Sequence, residues 1–170
     1  RSKLPKVFIV AREIQAIYAT HAHGAKVDIA AVETRLGKPL ANDDQGYVVR
    51  SGVAVIPVSG VIGKKMNLFS QISGGASTQL IERDVKAALS DPNVNSILLH
   101  IDLPGGTVDG TQTLADVVRA AGEQKPVVAF ADGLMASAAY WIGSAAAEIV
   151  ASSSTAQIGS IGVVTSHTDV

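Results

Sequence analysis

Two short, almost uninterrupted apolar runs, Ser96–Ile101 (SILLHI) and Pro126–Ala131 (PVVAFA), constrain the fold of this 170-residue chain more than any other feature. The first is strand-like and the second reads as a buried strand. Between them, Thr107–Ala121 spaces Val108, Leu114, Val117 and Val118 at helical intervals. A similar segment, Thr78–Leu89, precedes the first run, with Leu80, Ile81, Val85, Ala88 and Leu89 on one face. Ser77 is its expected N-cap and Asp91-Pro92 its stop. Strand, helix, strand, helix, strand with short connections predicts an α/β architecture with a largely parallel sheet and right-handed crossovers. With 47% hydrophobic and 17% charged residues, the chain has the apolar surface for one well-buried core.

A net charge of -1, with no block of Lys and Arg, supplies no field for nucleic acid, so a nucleic-acid partner is not expected. The absence of cysteine excludes disulfides, thiol chemistry and cysteine metal sites. The chain starts at Arg1 instead of a methionine, so its first residue is read as not the gene's first. Pro5–His21 and Asp28–Leu36 read as amphipathic helices, and the turn-rich Gly37–Gly46 as a linker. Residues 1–46 are thus expected to form a helical appendage and linker, and residues 47–170 the main domain. His21 and His23 lack a carboxylate-rich neighbourhood and are read as a solvated helix end.

Tyr47–Val58 predicts a hairpin or bulged strand around Ser51-Gly52, followed by a Gly-rich, functional or mobile loop over Gly60–Ala76 that contains Lys64 and Lys65. Leu134–Val150 approaches the length of a membrane span, but Ser137, Gly143, Ser144 and Glu148 interrupt it. It is read as a buried helix of small residues, so no membrane span is expected. Ser152–Thr155 reads as a turn before a strand over Ile158–Val164.

Chemistry concentrates where the two buried strands end. The second runs into Asp132-Gly133, a turn signal, and then into helical sequence that places Ser137 at a helix N-terminus. There, unpaired N–H groups and the helix dipole favour an alkoxide or a tetrahedral oxyanion. The competing reading of Ser137 is an ordinary N-cap. The first strand runs into Pro104-Gly105-Gly106, read as a turn whose N–H groups no side chain screens. Together these predict a nucleophile, Ser137, with oxyanion donors from Gly105 or Gly106 and from Ala138. Ligands of a parallel sheet collect at this end of its strands. On this reading, a bulky residue at Gly105 or Gly106 should lower turnover by about 10²-fold with folding largely kept.

The residues IDLPGG at Ile101–Gly106, MASAAYWI at Met135–Ile142 and AAAEIVASSSTAQIGSIGVV at Ala145–Val164 resemble the signal peptide peptidase A family. Its members are serine-lysine peptidases with a Clp-protease-like fold. Within that family, VIPVSGVIG at Val55–Gly63 looks most like the bacteriophage head-maturation proteases. The resemblance covers roughly Gly52–Asp169. Ala138 and Ala139 stand where family members often carry glycines, and Leu103 where they often carry a small polar residue. Neither change removes a backbone donor.

The resemblance implies a Clp/crotonase-like superhelix of β-α units and a serine endopeptidase acting through an acyl-enzyme on Ser137. It implies a lysine base beyond residue 170, so the peptidase domain is expected to be truncated here and this fragment inactive. Polypeptide substrates, phage scaffold and capsid proteins among them, follow from it, as do a homo-oligomer and a location in the bacterial host cytoplasm or the prohead. No metal or organic cofactor is called for. Gly133 and Leu134 before the serine, and Gly159, Ser160 and Ile161 after it, are candidates for contact with a substrate backbone. Ser160 is also a candidate partner for the catalytic amine, against the alternative of an ordinary strand hydroxyl.

Other readings stay open. Lys64 or Lys65 could act as the base, as could a histidine, either His167 with Asp169 or His100 with Asp102. Beyond peptidases stand a crotonase-like acyl-CoA enzyme, which needs the oxyanion donors without the serine, and a noncatalytic assembly module.

Overall fold

The computed structural model describes residues 46–64 and 75–163. The segments expected to form two N-terminal helices, together with His21, His23, Lys65, His167 and Asp169, lie outside the described residues. Val48–Arg50 (β1) and Val53–Gly63 (β2) form the expected hairpin. Its connecting residues, Ser51 and Gly52, have φ of 50° and 80°, the left-handed pair that a two-residue type I′ turn requires. Gly75–Ser77 (β3) leads into Thr78–Ser90 (α1), followed by Ser96–Gly106 (β4), Thr111–Gln124 (α2), Val127–Ala136 (β5), Ala138–Gly143 (α3), Glu148–Ala151 (β6) and Gln157–Gly159 (β7).

The sheet order is β1-β2-β4-β5-β6, with β3 beside the end of β2 and β7 beside the end of β5. Every pairing except β1–β2 is parallel. This is the α/β, largely parallel architecture expected from the alternation of strand and helix.

Side-chain parity explains the two apolar runs. Leu99, Ile101 and Leu103 of β4, with Val127, Ala129 and Ala131 of β5, face the helices and pack with Ile81, Val85, Leu114, Val118 and Ile142. The alternate residues Leu98, Val128 and Phe130 join Val53 in a second buried cluster to which no helix among the described residues contributes. Central strands buried on both faces cannot alternate polar with apolar residues, hence the near-continuous runs.

Several features differ from expectation, and in the strands tertiary pairing overrides a local signal. The Pro-Gly-Gly segment is no turn: β4 stays extended through it, with Gly105 and Gly106 paired to Val61 and Ile62. β5 likewise continues through Asp132-Gly133 to Ala136, and the ladder absorbs the irregularity as a register shift between Ile101 and Leu103. β2 runs to Gly63, into the expected loop. The long helix expected over Leu134–Val150 is six residues, Ala138–Gly143. Its tail becomes β6, because Glu148–Ala151 finds β5 as a parallel partner. Val108 precedes α2 and is 50% exposed, so it is not part of that helix's apolar face. Ser77 occupies the N-cap of α1 but makes no cap bond; its hydroxyl donates to the Lys64 carbonyl at 3.2 Å. β7 ends at Gly159, short of the expected Val164. None of the helices in the described residues is long and apolar enough to cross a membrane.

Leu99 is fully buried between the sheet and the helices. Leu99→Ala should cost about 2–5 kcal/mol of unfolding free energy, seen in urea titration as a lower midpoint with an unchanged slope.

Candidate active site

Ser137 joins β5 to α3, and its backbone is unusual. It has φ 55° and ψ -122°, and although it holds the N-cap position its side chain makes no cap hydrogen bond. A non-glycine residue in this region is strained by about 1–3 kcal/mol and is held there by its surroundings. Part of the hold is visible: the Ser137 N–H donates to the Gly159 carbonyl at 2.9 Å, and its carbonyl accepts the Trp141 N–H at 3.0 Å. The bend leaves the half-buried serine side chain facing a cleft of about 510 Å³. A sharp, strained strand-to-helix junction that exposes a serine hydroxyl is the construction that nucleophile elbows use.

The end of β4 forms the adjoining wall. Gly105, with φ 120°, lies so close to Ser137 that a Cβ on it would sit 2.7 Å from the serine Cβ and 3.1 Å from Oγ. Gly106 lines the cleft. A Cβ there would run into the Ile62 carbonyl, so the expectation that Gly106 tolerates a bulky residue with folding kept does not hold. The Ile62 carbonyl accepts the Thr107 N–H at 3.0 Å. In a parallel ladder only alternate residues bond to a given neighbour, so the Gly106 N–H is directed away from β2, to the side where β5 ends. Ala138 opens α3, and a first helical residue has no acceptor for its N–H within the helix.

Of the residues singled out from sequence, Gly106, Ser137, Ala138, Ser160 and Ile161 line one cleft, with Gly105 packed behind the serine. Gly133 and Leu134 do not line it. Their N–H groups donate to Ser152 Oγ and Asp102 Oδ1, both at 3.3 Å. Gly159 contributes through its carbonyl to Ser137, and Ser160, with φ 57°, is exposed just beyond it. His100 does not pair with Asp102: its Nε2 donates to Asp132 Oδ2 at 2.9 Å, and its ring stacks on Phe130 at 5.7 Å, outside the cleft. Lys64 is in an exposed ion pair with Asp109 at 3.0 Å.

The remaining walls include Gly162, which with Gly159 reads from the sequence as leaving room for a substrate backbone, and Val108, Tyr140, Trp141, Ser144 and Val163, which the sequence does not place at a site. Tyr140 and Trp141 carry a usable signal, since they follow Ser137 by three and four residues and so lie one helical turn from it.

Gly105→Ala should place a methyl against Ser137 and force an unfavourable φ. The expected result is a loss of about 1–3 kcal/mol in stability and at least a tenfold slower reaction of Ser137 with a fluorophosphonate. Unfolding and labelling measurements on the same full-length variant check both.

Residues 119–170 match the family model of Peptidase family S49. The chain is 35% identical over 147 residues to Capsid assembly protease C of Escherichia phage lambda, covering 83% of this chain and 33% of that protein. Over 121 residues it is 36% identical to Head-tail preconnector protein GP5 of Enterobacteria phage P21, covering 71% of this chain and 24% of that one. It thus spans about a quarter to a third of the length of these curated relatives. Among solved structures, an enoyl-CoA hydratase/isomerase family member superposes with a TM-score of 0.47 at 19% identity, covering 62% of this chain and 45% of that chain. By sequence, the chain is similar to the S49 peptidases over residues 119–170 and to these phage proteins over most of its length.

Proposed function

We propose that the protein is a serine peptidase that cleaves peptide bonds through an acyl-enzyme on Ser137. The observation that carries this reading is the strained, uncapped backbone of Ser137, which forgoes the usual N-cap hydrogen bond and presents the hydroxyl to a cleft. In the first step Oγ attacks the scissile carbonyl carbon while a base takes its proton. The negative charge develops on the carbonyl oxygen, where the N–H groups of Gly106 and Ala138 stabilise it. Collapse breaks the C–N bond, and the amine leaves with the proton returned by the base. Water then attacks the ester by the same route and regenerates Ser137. The resemblance to serine-lysine peptidases makes the base a neutral lysine beyond residue 170, its pKa lowered by burial.

The names of two relatives, a capsid assembly protease and a head-tail preconnector protein, support capsid or scaffold polypeptides as substrates. An extended peptide would lie between the Gly106 end of β4 and the 160–163 segment.

A fluorophosphonate should label the full-length protein at Ser137, and Ser137→Ala should abolish both labelling and peptide cleavage. Peptide mapping that places the label on another serine would overturn the assignment.

A further inference from the structure

The β4–β5 ladder contains an irregularity that determines what stands opposite Gly105. Ile101 pairs with Ala131 and Leu103 with Met135. One residue of β4, Asp102, is therefore matched by three of β5: Asp132, Gly133 and Leu134. Because the excess is two residues, side-chain parity is preserved, and Met135 returns to the buried helix-facing side like Ala131 before it. The register, however, has moved by two. Continued from Leu103 and Met135, it sets Gly105 opposite Ser137, in agreement with the close approach of these two residues. Without the bulge, the pairing continued from Ile101 and Ala131 would set Gly105 opposite Met135, and the serine would lie beyond the strand end.

Each of the three bulge residues is held by a polar contact. Asp132 accepts from His100 Nε2 at 2.9 Å, Gly133 N–H donates to Ser152 Oγ at 3.3 Å, and Leu134 N–H donates to Asp102 Oδ1 at 3.3 Å. Gly133 has φ 89°, and a Cβ built on it would meet Asp102 Oδ1 at 3.5 Å, so the Asp102 carboxylate sits directly against the bulge. His100 shares the parity of Leu98 and stacks on Phe130, so the Asp132 end is anchored on the face of the sheet away from the helices.

We infer that Asp102 and the His100–Asp132 pair are positioning residues that hold the β5 bulge and thereby set Ser137 in register with Gly105 and Gly106. The inference rests on the reading of Ser137 as nucleophile and adds that its placement depends on carboxylates that do not enter the cleft. Asp102 is exposed, so replacing it leaves the core untouched, whereas a purely surface role would leave the chemistry untouched as well.

The test uses full-length protein, with fluorophosphonate labelling, peptide kinetics and hydrogen exchange measured on each variant. Asp102→Ala should slow Ser137 labelling and lower kcat by about tenfold, the scale of one lost charge-assisted hydrogen bond, with KM nearly unchanged. Asp102→Asn, which keeps an acceptor for the Leu134 N–H, should restore both to within about threefold. Amide exchange over residues 133–138 should accelerate in Asp102→Ala but not in α1 or α2. Asp132→Ala should behave alike; if it fails to fold, Asp132→Ser, too short to reach His100, takes its place.

Wild-type labelling and exchange rates in Asp102→Ala, with the wild type itself reactive at Ser137, would overturn the positioning role while leaving the nucleophile in place. Equal loss in the alanine and asparagine variants would also overturn it. A wild type that does not label at Ser137 would overturn the nucleophile and, with it, this inference.

Discussion

The parallel ladder between β4 and β5 is the constraint on which the rest depends. It buries both faces of two central strands, which explains the composition of the runs at 96–101 and 126–131. It also carries the two chain segments that form the cleft to their common end. Parallel neighbours finish side by side, so whatever follows each strand meets there. Gly105-Gly106 and Ser137 are carried to the same end of the sheet by this arrangement, although they are distant in sequence, and the bulge in β5 sets them opposite one another. The helices α1 and α2 serve the ladder: their apolar faces cover one side, and Lys125 ties the chain after α2 to the end of α1 by donating to the Ala88 and Asp91 carbonyls, both at 2.9 Å.

What can be read from the sequence is local. The runs of β4 and β5, the two-residue turn at Ser51-Gly52 and the span of α1 each declare themselves through residues that are neighbours in the chain. That Ser137 and the glycines of β4 meet is also legible, because each lies past a buried apolar run, at the end of a parallel sheet where ligands collect. The misreadings share one cause. Pro104-Gly105-Gly106 and Asp132-Gly133 carry the composition of turns, yet a strand already paired on its flanks tolerates them as an extended end and a bulge. Ala145–Val150 carries helical composition, but an open edge of β5 claims Glu148–Ala151 as a strand. Such outcomes depend on partners far along the chain, which no local window contains.

His100 illustrates the same point for chemistry. A histidine close to an aspartate in sequence invites a catalytic reading, but along a strand Asp102 lies two residues away, and Asp132 of the neighbouring strand is the one within reach. Trp141 is the opposite case. Its sequence neighbourhood suggests general bulk on a long core helix, whereas it is partly exposed on the six-residue α3 and lines the cleft.

The left-handed backbone at Ser137 sets stability against chemistry at a single codon. Glycine is the residue most at ease with such a φ, so a glycine there would relax the junction and firm the fold while deleting the hydroxyl. On the proposed function, the strained serine is a small stability cost carried for its hydroxyl.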